Sequence, residues 1–242
     1  MKKQRVFITG ATGTMGLASL KKMLKDSDKQ DIVILSLDTE RDRKILKPYQ
    51  NKKGLKIIWG DLTDYDIVLK CVKGCDIILH IAAFVSPAAD YHPKQAMKIN
   101  YGSTRNLINA IYELGQENHT RFVYIGTVAE TGDRMPPIHW GRVGDPIKPS
   151  IFDYYAVSKV AAERLVIESG LRYWVSLRQT GIIGKAMSEI DDAIIFHNCF
   201  DNVLEYCSDR DSARAMRNLC TFFYDGRLDE SFWGHIYNIG GG

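Results

Sequence analysis

Tyr155 and Lys159 stand four residues apart in Tyr155-Ala156-Val157-Ser158-Lys159. That spacing sets a phenol and an ammonium side by side on one face of a helix. A neighbouring ammonium favours the phenolate, so Tyr155 is placed to exchange a proton with a substrate hydroxyl or carbonyl. Thr127 follows the apolar run Phe122-Val123-Tyr124-Ile125, at the carboxyl edge of a predicted strand, where open α/β sheets bind ligands. Its hydroxyl can hydrogen-bond the same substrate oxygen. Thr127, Tyr155 and Lys159 are therefore the candidate catalytic set.

A second cluster lies near the start of the chain. Gly10-Ala11-Thr12-Gly13-Thr14-Met15-Gly16 joins a predicted first strand to a predicted first helix. In that context a glycine pattern signals a dinucleotide site: one glycine permits a sharp turn, one lets a pyrophosphate approach the backbone, and one lets helix pack on strand. Gly10, Thr12, Gly13, Thr14, Met15 and Gly16 are expected to hold the phosphates at the helix N-terminus. Asp38 ends the second predicted strand, where a carboxylate accepts hydrogen bonds from ribose hydroxyls and repels a 2′-phosphate. This favours NAD over NADP, although Arg41 and Arg43 lie close enough to offset the repulsion. In Trp59-Gly60-Asp61-Leu62, Asp61 and Leu62 are placed at the adenine edge, or else Asp61 caps a helix from Thr63.

These residues need a frame that brings them together. Short β-rich runs alternate with helical patterns over most of the chain, the rhythm of βαβ units and a parallel sheet. Strands are predicted at Arg5 to Thr9, Ile32 to Leu37, Leu55 to Trp59, Asp76 to Ile81, Phe122 to Ile125 and Trp174 to Leu177, with a late one at Ile236 to Ile239. Their continuous apolar character fits strands covered on both faces. Helices are predicted through Leu17 to Leu24, Ile99 to Leu114 and Tyr154 to Ser169. The fold class is α/β, a doubly wound parallel sheet of Rossmann type. The predicted organisation is a dinucleotide-binding domain over 1–180, a small substrate lobe over 181–235, and a strand over 236–242 that returns to the sheet. The loop from Thr131 to Ser150, rich in Pro and Gly, is long enough to be functional. Within it, His139-Trp140-Gly141-Arg142 is placed to cover a substrate, with Arg142 offering an anion contact. The terminal Gly240-Gly241-Gly242 suggests that further chain follows.

Composition narrows the functional classes. Of 242 residues, 45% are hydrophobic and 25% charged, and the net charge is only +3 with the charges interspersed. Disorder and a broad nucleic-acid footprint are excluded on that basis. The longest apolar window, Ile77 to Val85, contains His80 and is too short to span a membrane. No secretory signal pattern fits the N-terminus. Five cysteines without a Cys-x-x-Cys pair indicate a reducing, cytoplasmic setting, and no metal site is predicted. His80, at a strand end, reads as a satisfied interior histidine.

Taken in order, the motifs resemble the extended short-chain dehydrogenase/reductase family, also called NAD-dependent epimerase/dehydratases. They are Thr9-Gly10-x-x-Gly13-x-x-Gly16, Gly60-Asp61-Leu62-Thr63, His80-Ile81-Ala82-Ala83, Asn100-Tyr101-Gly102-Ser103-Thr104, Ile125-Gly126-Thr127, Tyr155-x-x-Ser158-Lys159, Leu177-Arg178-Gln179 and Tyr237-Asn238-Ile239-Gly240. The resemblance implies that Thr127, Tyr155 and Lys159 are catalytic and that Ile81, Ala82, Ala83 and Asn100 line the cofactor. It further implies that Lys159 holds the nicotinamide ribose, that Thr180 lies near the nicotinamide, and that the protein forms a homodimer through paired helices.

Departures from the family pattern bear on the reaction. Dehydratases of the family follow the Thr with Asp-Glu, where this chain has Val128-Ala129. Sugar epimerases continue with Val-Tyr-Gly and carry an Asn, where this chain has Glu130-Thr131-Gly132 and Gly181. The expected function is NAD-dependent hydride transfer at a hydroxyl or carbonyl carbon of a small-molecule substrate. The alternatives are a nucleotide-sugar epimerase that retains its NAD, and a noncatalytic dinucleotide-binding module.

Overall fold

The computed structural model describes residues 2–132, 142–184 and 205–240. Seven parallel strands form the main sheet: β1 (Gln4–Thr9), β2 (Gln30–Ser36), β3 (Leu55–Trp59), β4 (Ile77–His80), β5 (Arg121–Thr127), β6 (Trp174–Gln179) and β9 (His235–Ile239). Their order across the sheet is β3-β2-β1-β4-β5-β6-β9. A separate two-stranded parallel pair joins β7 (Gly181–Ile183) to β8 (Tyr206–Ser208).

The apolar runs supply both faces of this sheet. Val6, Ile8, Ile32, Ile34, Leu79, Val123, Val175 and Leu177 pack on one side with Leu20 and Met23 of α1 (Thr14–Met23) and Met216, Leu219 and Cys220 of α8 (Asp209–Tyr224). Phe7, Val33, Leu35, Ile78, Phe122 and Tyr124 pack on the other. There they meet α3 (Tyr65–Val72), α6 (Gly102–Glu113) and α7 (Tyr154–Ile167). Alternate residues of each strand thus feed opposite cores, which is why the runs show no polar alternation.

The remaining elements are short: α2 (Glu40–Leu46), α4 (Ala88–Tyr91) and α5 (Pro93–Ala96). A π-helical turn over Met97–Tyr101 joins α5 to α6, where the sequence predicted one continuous helix. The segment 181–235, expected to be a small lobe, contributes α8 to the main body. Its apolar stripe covers the same core as α1, so α8 itself is part of a layer of the doubly wound fold. The His139-Trp140-Gly141 stretch of the predicted substrate cover lies outside the described residues.

Strand order reverses at β1, whose neighbours β2 and β4 lead outward in opposite directions. The crevice at the carboxyl ends of β1 and β4 is the topological switch point of such sheets. Two glycines make it narrow. Gly10 has φ +70, and a Cβ there would lie 2.8 Å from the Ala82 backbone. At Gly16 a Cβ would sit 2.0 Å from the Gly10 carbonyl oxygen. Gly16→Ala is therefore expected to force α1 off the turn and destabilise the protein by ~1–3 kcal/mol. Denaturant unfolding checks this, and dinucleotide affinity should fall with it.

Candidate active site

The turn after β1 and the loop after β4 are tied by one hydroxyl. Thr9 Oγ1 accepts the Ile81 and Ala82 N–H groups, both at 3.0 Å. With those acceptor positions filled, its proton goes to His80 Nδ1 at 2.9 Å. His80 must then carry its own proton on Nε2, which donates to Thr104 Oγ1 at 3.0 Å. Thr104 in turn donates to the Asn100 carbonyl at 2.7 Å. The chain of donors fixes the tautomer of a neutral, fully satisfied imidazole.

Burial, with Lys159 nearby, pushes His80 down to about 3. The unfolded chain takes up a proton near the ordinary histidine value while the folded protein does not. Stability should thus fall as pH drops from about 6.5 toward about 3. His80→Gln should lose most of that acid-side slope, as melting curves of both proteins across this range would show.

Asn100 links this network to α7. Its Oδ1 accepts the Phe84 N–H at 2.7 Å, and its Nδ2 donates to the Phe84 carbonyl at 3.0 Å and to Ser158 Oγ at 2.8 Å. Ser158 donates onward to the Tyr155 carbonyl at 2.7 Å. The Asn100 carboxamide is thereby committed to protein partners, and the residue acts on the site by positioning the loop after β4 and the turn of α7 that carries Tyr155. The π-helical turn aims it there, a feature with no clear sequence signature.

The three candidate catalytic residues come together at the carboxyl end of β5. Tyr155 is half-buried and hydrogen-bonded through its side chain to Thr127. Lys159 is buried; its Nζ donates to the Ile125 carbonyl at 2.6 Å and lies 4.1 Å from the centre of the Tyr124 ring. Burial holds the Tyr155 phenol well above its ordinary value, opposed by the Thr127 hydrogen bond. Burial also lowers Lys159 to about 8.

Around them sit the candidate cofactor residues. Thr12, Gly13, Thr14 and Met15 occupy the turn and first residues of α1, whose N-cap is Gly13 with no side-chain cap. A Cβ at Gly13 would meet only the Gly10 oxygen, at 3.5 Å, so the turn is open to an incoming group. Asp38 is exposed and clamped in a bidentate pair by Arg43, whose guanidinium also lies 4.8 Å from the Trp59 ring centre. Asp61 does not cap α3: it accepts the Thr63 N–H at 2.8 Å, and Asp64 is the cap. Leu62 packs on the core, and its carbonyl accepts from Asn106. Thr180 donates its N–H to Ile239 at 3.2 Å. Ile81, Ala82 and Ala83 follow β4 directly.

A dinucleotide fits what these residues leave open. An uncapped helix N-terminus behind a glycine cradle suits a pyrophosphate. At the other end, both polar atoms of the buried Gln179 carboxamide and the Thr180 hydroxyl have no hydrogen-bond partner. Buried polar groups of that kind call for a ligand. The sequence marks Leu177-Arg178-Gln179 as a motif and Glu130 as a departure from the family pattern but assigns none of them a role, and it does not mark Glu163; Glu130, Glu163 and Arg178 are all buried beneath the site. Arg178 inside the run Val175 to Gln179, and Thr127-x-x-Glu130 as a capping pattern, would have pointed to that burial.

Among curated proteins, the 3 beta-hydroxysteroid dehydrogenase/Delta 5-->4-isomerase of Vaccinia virus (strain Ankara) is 28% identical over 195 residues, 74% of this chain and 52% of the relative. The protein of the same name from Mycobacterium tuberculosis is 29% identical over 211 residues, 83% of this chain and 52% of the relative. The chain thus spans about half the length of the curated relatives it matches. Among solved structures, a dTDP-glucose 4,6-dehydratase from Streptomyces venezuelae with NAD and TYD bound superposes with a TM-score of 0.77 at 21% identity, covering 99% of this chain and 76% of that one. That likeness bears on the fold. The model of the NAD dependent epimerase/dehydratase family matches residues 6–240, nearly the whole chain, and the protein belongs to that family.

Proposed function

We propose that this chain is an NAD-dependent oxidoreductase that interconverts a hydroxyl and a carbonyl on a small organic substrate. The observation that carries the reading is the meeting of Thr127, at the end of β5, with Tyr155 and Lys159 of α7, where Lys159 Nζ is tied to the β5 backbone at the Ile125 carbonyl. In the reductive direction Thr127 Oγ1 orients the substrate oxygen and Tyr155 delivers its proton to it. Lys159, lowered by burial and anchored on Ile125, supplies the cation that stabilises the phenolate left behind. Bound NAD supplies the hydride acceptor, and in its reduced form the donor. The turn Gly10 to Gly16 and the first turn of α1 would hold its phosphates, Asp38 its adenosine ribose, Asp61 and Leu62 its adenine side, and Ile81, Ala82, Ala83 and Thr180 its remaining length. Asn100 would serve by bracing that wall. The curated relatives, hydroxysteroid dehydrogenases by name, belong to the same reaction class. Val128-Ala129 after Thr127 provides no acid–base pair for water elimination.

Cofactor preference turns on the Asp38–Arg43 pair. The carboxylate disfavours a 2′-phosphate, and it occupies the one guanidinium in direct contact with it. Asp38→Ser should release Arg43 and raise NADP affinity severalfold, with NAD affinity lowered. Calorimetric titration of both nucleotides against both proteins measures this.

The proposal extends to a homodimer in a cytoplasmic setting. Exposed apolar residues on α6 and α7, among them Tyr112, Val157 and Ile167, support pairing through those helices, and light scattering tests it. Cys71, Cys75, Cys207 and Cys220 are buried free thiols. No described helix is long and apolar enough to cross a membrane.

Absorbance assays for NADH, run across alcohols, carbonyl compounds and sugar nucleotides, test the function. NADH should accumulate or be consumed, and the purified protein should exchange its nucleotide freely. Interconversion of sugar nucleotides with tightly retained NAD and no net NADH change would show an epimerase instead.

A further inference from the structure

Directly under the candidate active site lies a polar cluster with no exposure to solvent. Glu130, in the 3-10 turn Val128–Thr131 after β5, is completely buried, and Glu163 of α7 and Arg178 of β6 are each 1% exposed. Arg178 gives two of its three guanidinium nitrogens to Glu163: Nε reaches both carboxylate oxygens, at 3.0 and 3.2 Å, and Nη2 donates to Oε2, while the buried Nη1 has no partner. Ser176 adds its hydroxyl to Glu163 Oε1. Glu130 receives far less. Its Oε1 accepts the Thr127 N–H at 3.1 Å, closing a capping box with the Thr127 side chain. Its Oε2 has no donor, and the nearest guanidinium nitrogen stands 3.6 Å away.

A fully buried carboxylate oxygen without a donor is among the most unfavourable states a side chain can adopt. Arg178 and Lys159 attract it through space, but neither donates a hydrogen bond to it: Arg178 Nε stands 3.6 Å away and is directed at Glu163, and Lys159 gives its short bond to the Ile125 carbonyl. Yet the Glu130 and Glu163 carboxyl groups lie within side-chain hydrogen-bonding reach of each other. One proton resolves the geometry. Placed on Glu130 Oε2 it turns an orphaned acceptor into a donor to Glu163, while Oε1 still accepts from Thr127.

We propose that Glu130 is a neutral carboxylic acid that shares its proton with Glu163 and serves as a positioning residue for Thr127 and Tyr155. The groups facing it are Glu163, Lys159 and Tyr155 from α7, Arg178 from β6 and Tyr124 from β5. Burial first, then Glu163, pushes its carboxyl up to about 9. A negative Glu130 would oppose ionisation of Tyr155. Held neutral, it fixes the Thr127 backbone while sparing the phenolate that proton transfer generates. That consequence rests on the proton-transfer reading above; the protonation state can be tested without any substrate.

Between the ordinary carboxylate value and about 9 the unfolded chain has lost this proton and the folded protein keeps it. Wild-type stability is therefore drawn down as pH rises through that interval. Glu130→Gln keeps both hydrogen bonds, as an amide donor to Glu163 and an acceptor from Thr127, and carries no proton to lose. Its melting midpoint should climb relative to wild type by several degrees as pH is raised from about 5 to about 9. Infrared spectra of the wild type at neutral pH should also show a carboxylic-acid C=O band that vanishes on alkaline titration. Among the described carboxyl groups Glu130 alone is raised in this way, and loss of that band in Glu130→Gln, or in Glu130→Leu should the first variant fail to fold, assigns it. A midpoint difference that stays flat or reverses with pH, or a wild-type spectrum without the acid band, would mean that Glu130 is an ionised partner of Arg178 and would overturn the proposal. A protein that reduces none of the carbonyl compounds tested would count against the proposed function alone.

Discussion

Tyr155→Phe is expected to slow NADH-driven carbonyl reduction by ~10²–10⁴-fold while leaving NAD affinity within a few-fold. The substitution removes one hydroxyl, and that hydroxyl has a defined place: it is hydrogen-bonded to Thr127, and burial keeps its proton on at neutral pH. A group that acts only as the reaction proceeds should lower kcat and kcat/KM together. The helix should be undisturbed, because α7 is held from elsewhere. Asp153 caps it by accepting the Ala156 N–H at 2.7 Å, and the Tyr155 backbone carbonyl receives Ser158. Turnover by the variant comparable to wild type would remove Tyr155 from the proton path. A parallel collapse in NAD affinity would make it a binding residue.

The largest stability effect should come from Arg178. Glu163 is 1% exposed and takes its charge compensation from that guanidinium. Arg178→Met preserves volume and an apolar stem yet leaves a buried carboxylate uncompensated, a change that costs ~3–5 kcal/mol in comparable pairs. For a chain of this size the melting midpoint should fall by roughly 10 °C. The pH dependence has a definite sign. In the wild type Glu163 is held below the ordinary carboxylate value, with Arg178, Glu130 and Ser176 outweighing the cost of burial. Its contribution is present above that value and lost as pH falls through the lowered one. The deficit of the variant should therefore be full at neutral pH and narrow in acid, where Glu163 can be buried neutral. Denaturant unfolding at several pH values measures both. A deficit that does not change with pH would point to lost packing instead.

Much of this architecture could be read from the chain because local rules and tertiary context agree. The strand runs from Val6 to Ile8 and from Ile32 to Leu35 are apolar at every position, and both faces of the sheet are indeed covered. Gly10 and Gly16 fall where the backbone admits no Cβ. His80 was legible as an interior histidine, since a strand end flanked by apolar residues offers it little water.

Other features needed three dimensions. The hydrogen-bonded path from Thr9 through His80 and Thr104 to Asn100 spans residues far apart in sequence. Only the parallel register that sets Thr9 against His80 reveals it. The packing of α8 on the main core beside α1 is likewise a long-range contact, which the local pattern of the predicted lobe over 181–235 does not contain. The surroundings of Tyr155 also needed three dimensions. Spacing along a helix gives proximity to Lys159, but burial acts on the phenol more strongly, and the ammonium is drawn to the Ile125 carbonyl instead.

The central claim is that this chain moves a hydride between NAD and a carbonyl carbon, with Tyr155 supplying the proton. The most direct measurement uses NADH deuterated at the transferring position, incubated with the carbonyl panel and followed by mass spectrometry of the alcohol formed. One deuterium is expected on the carbinol carbon with the wild-type protein, and product formation should be slowed by ~10²–10⁴-fold with Tyr155→Phe. Alcohol formed without deuterium, or at the same rate by the variant, would contradict it.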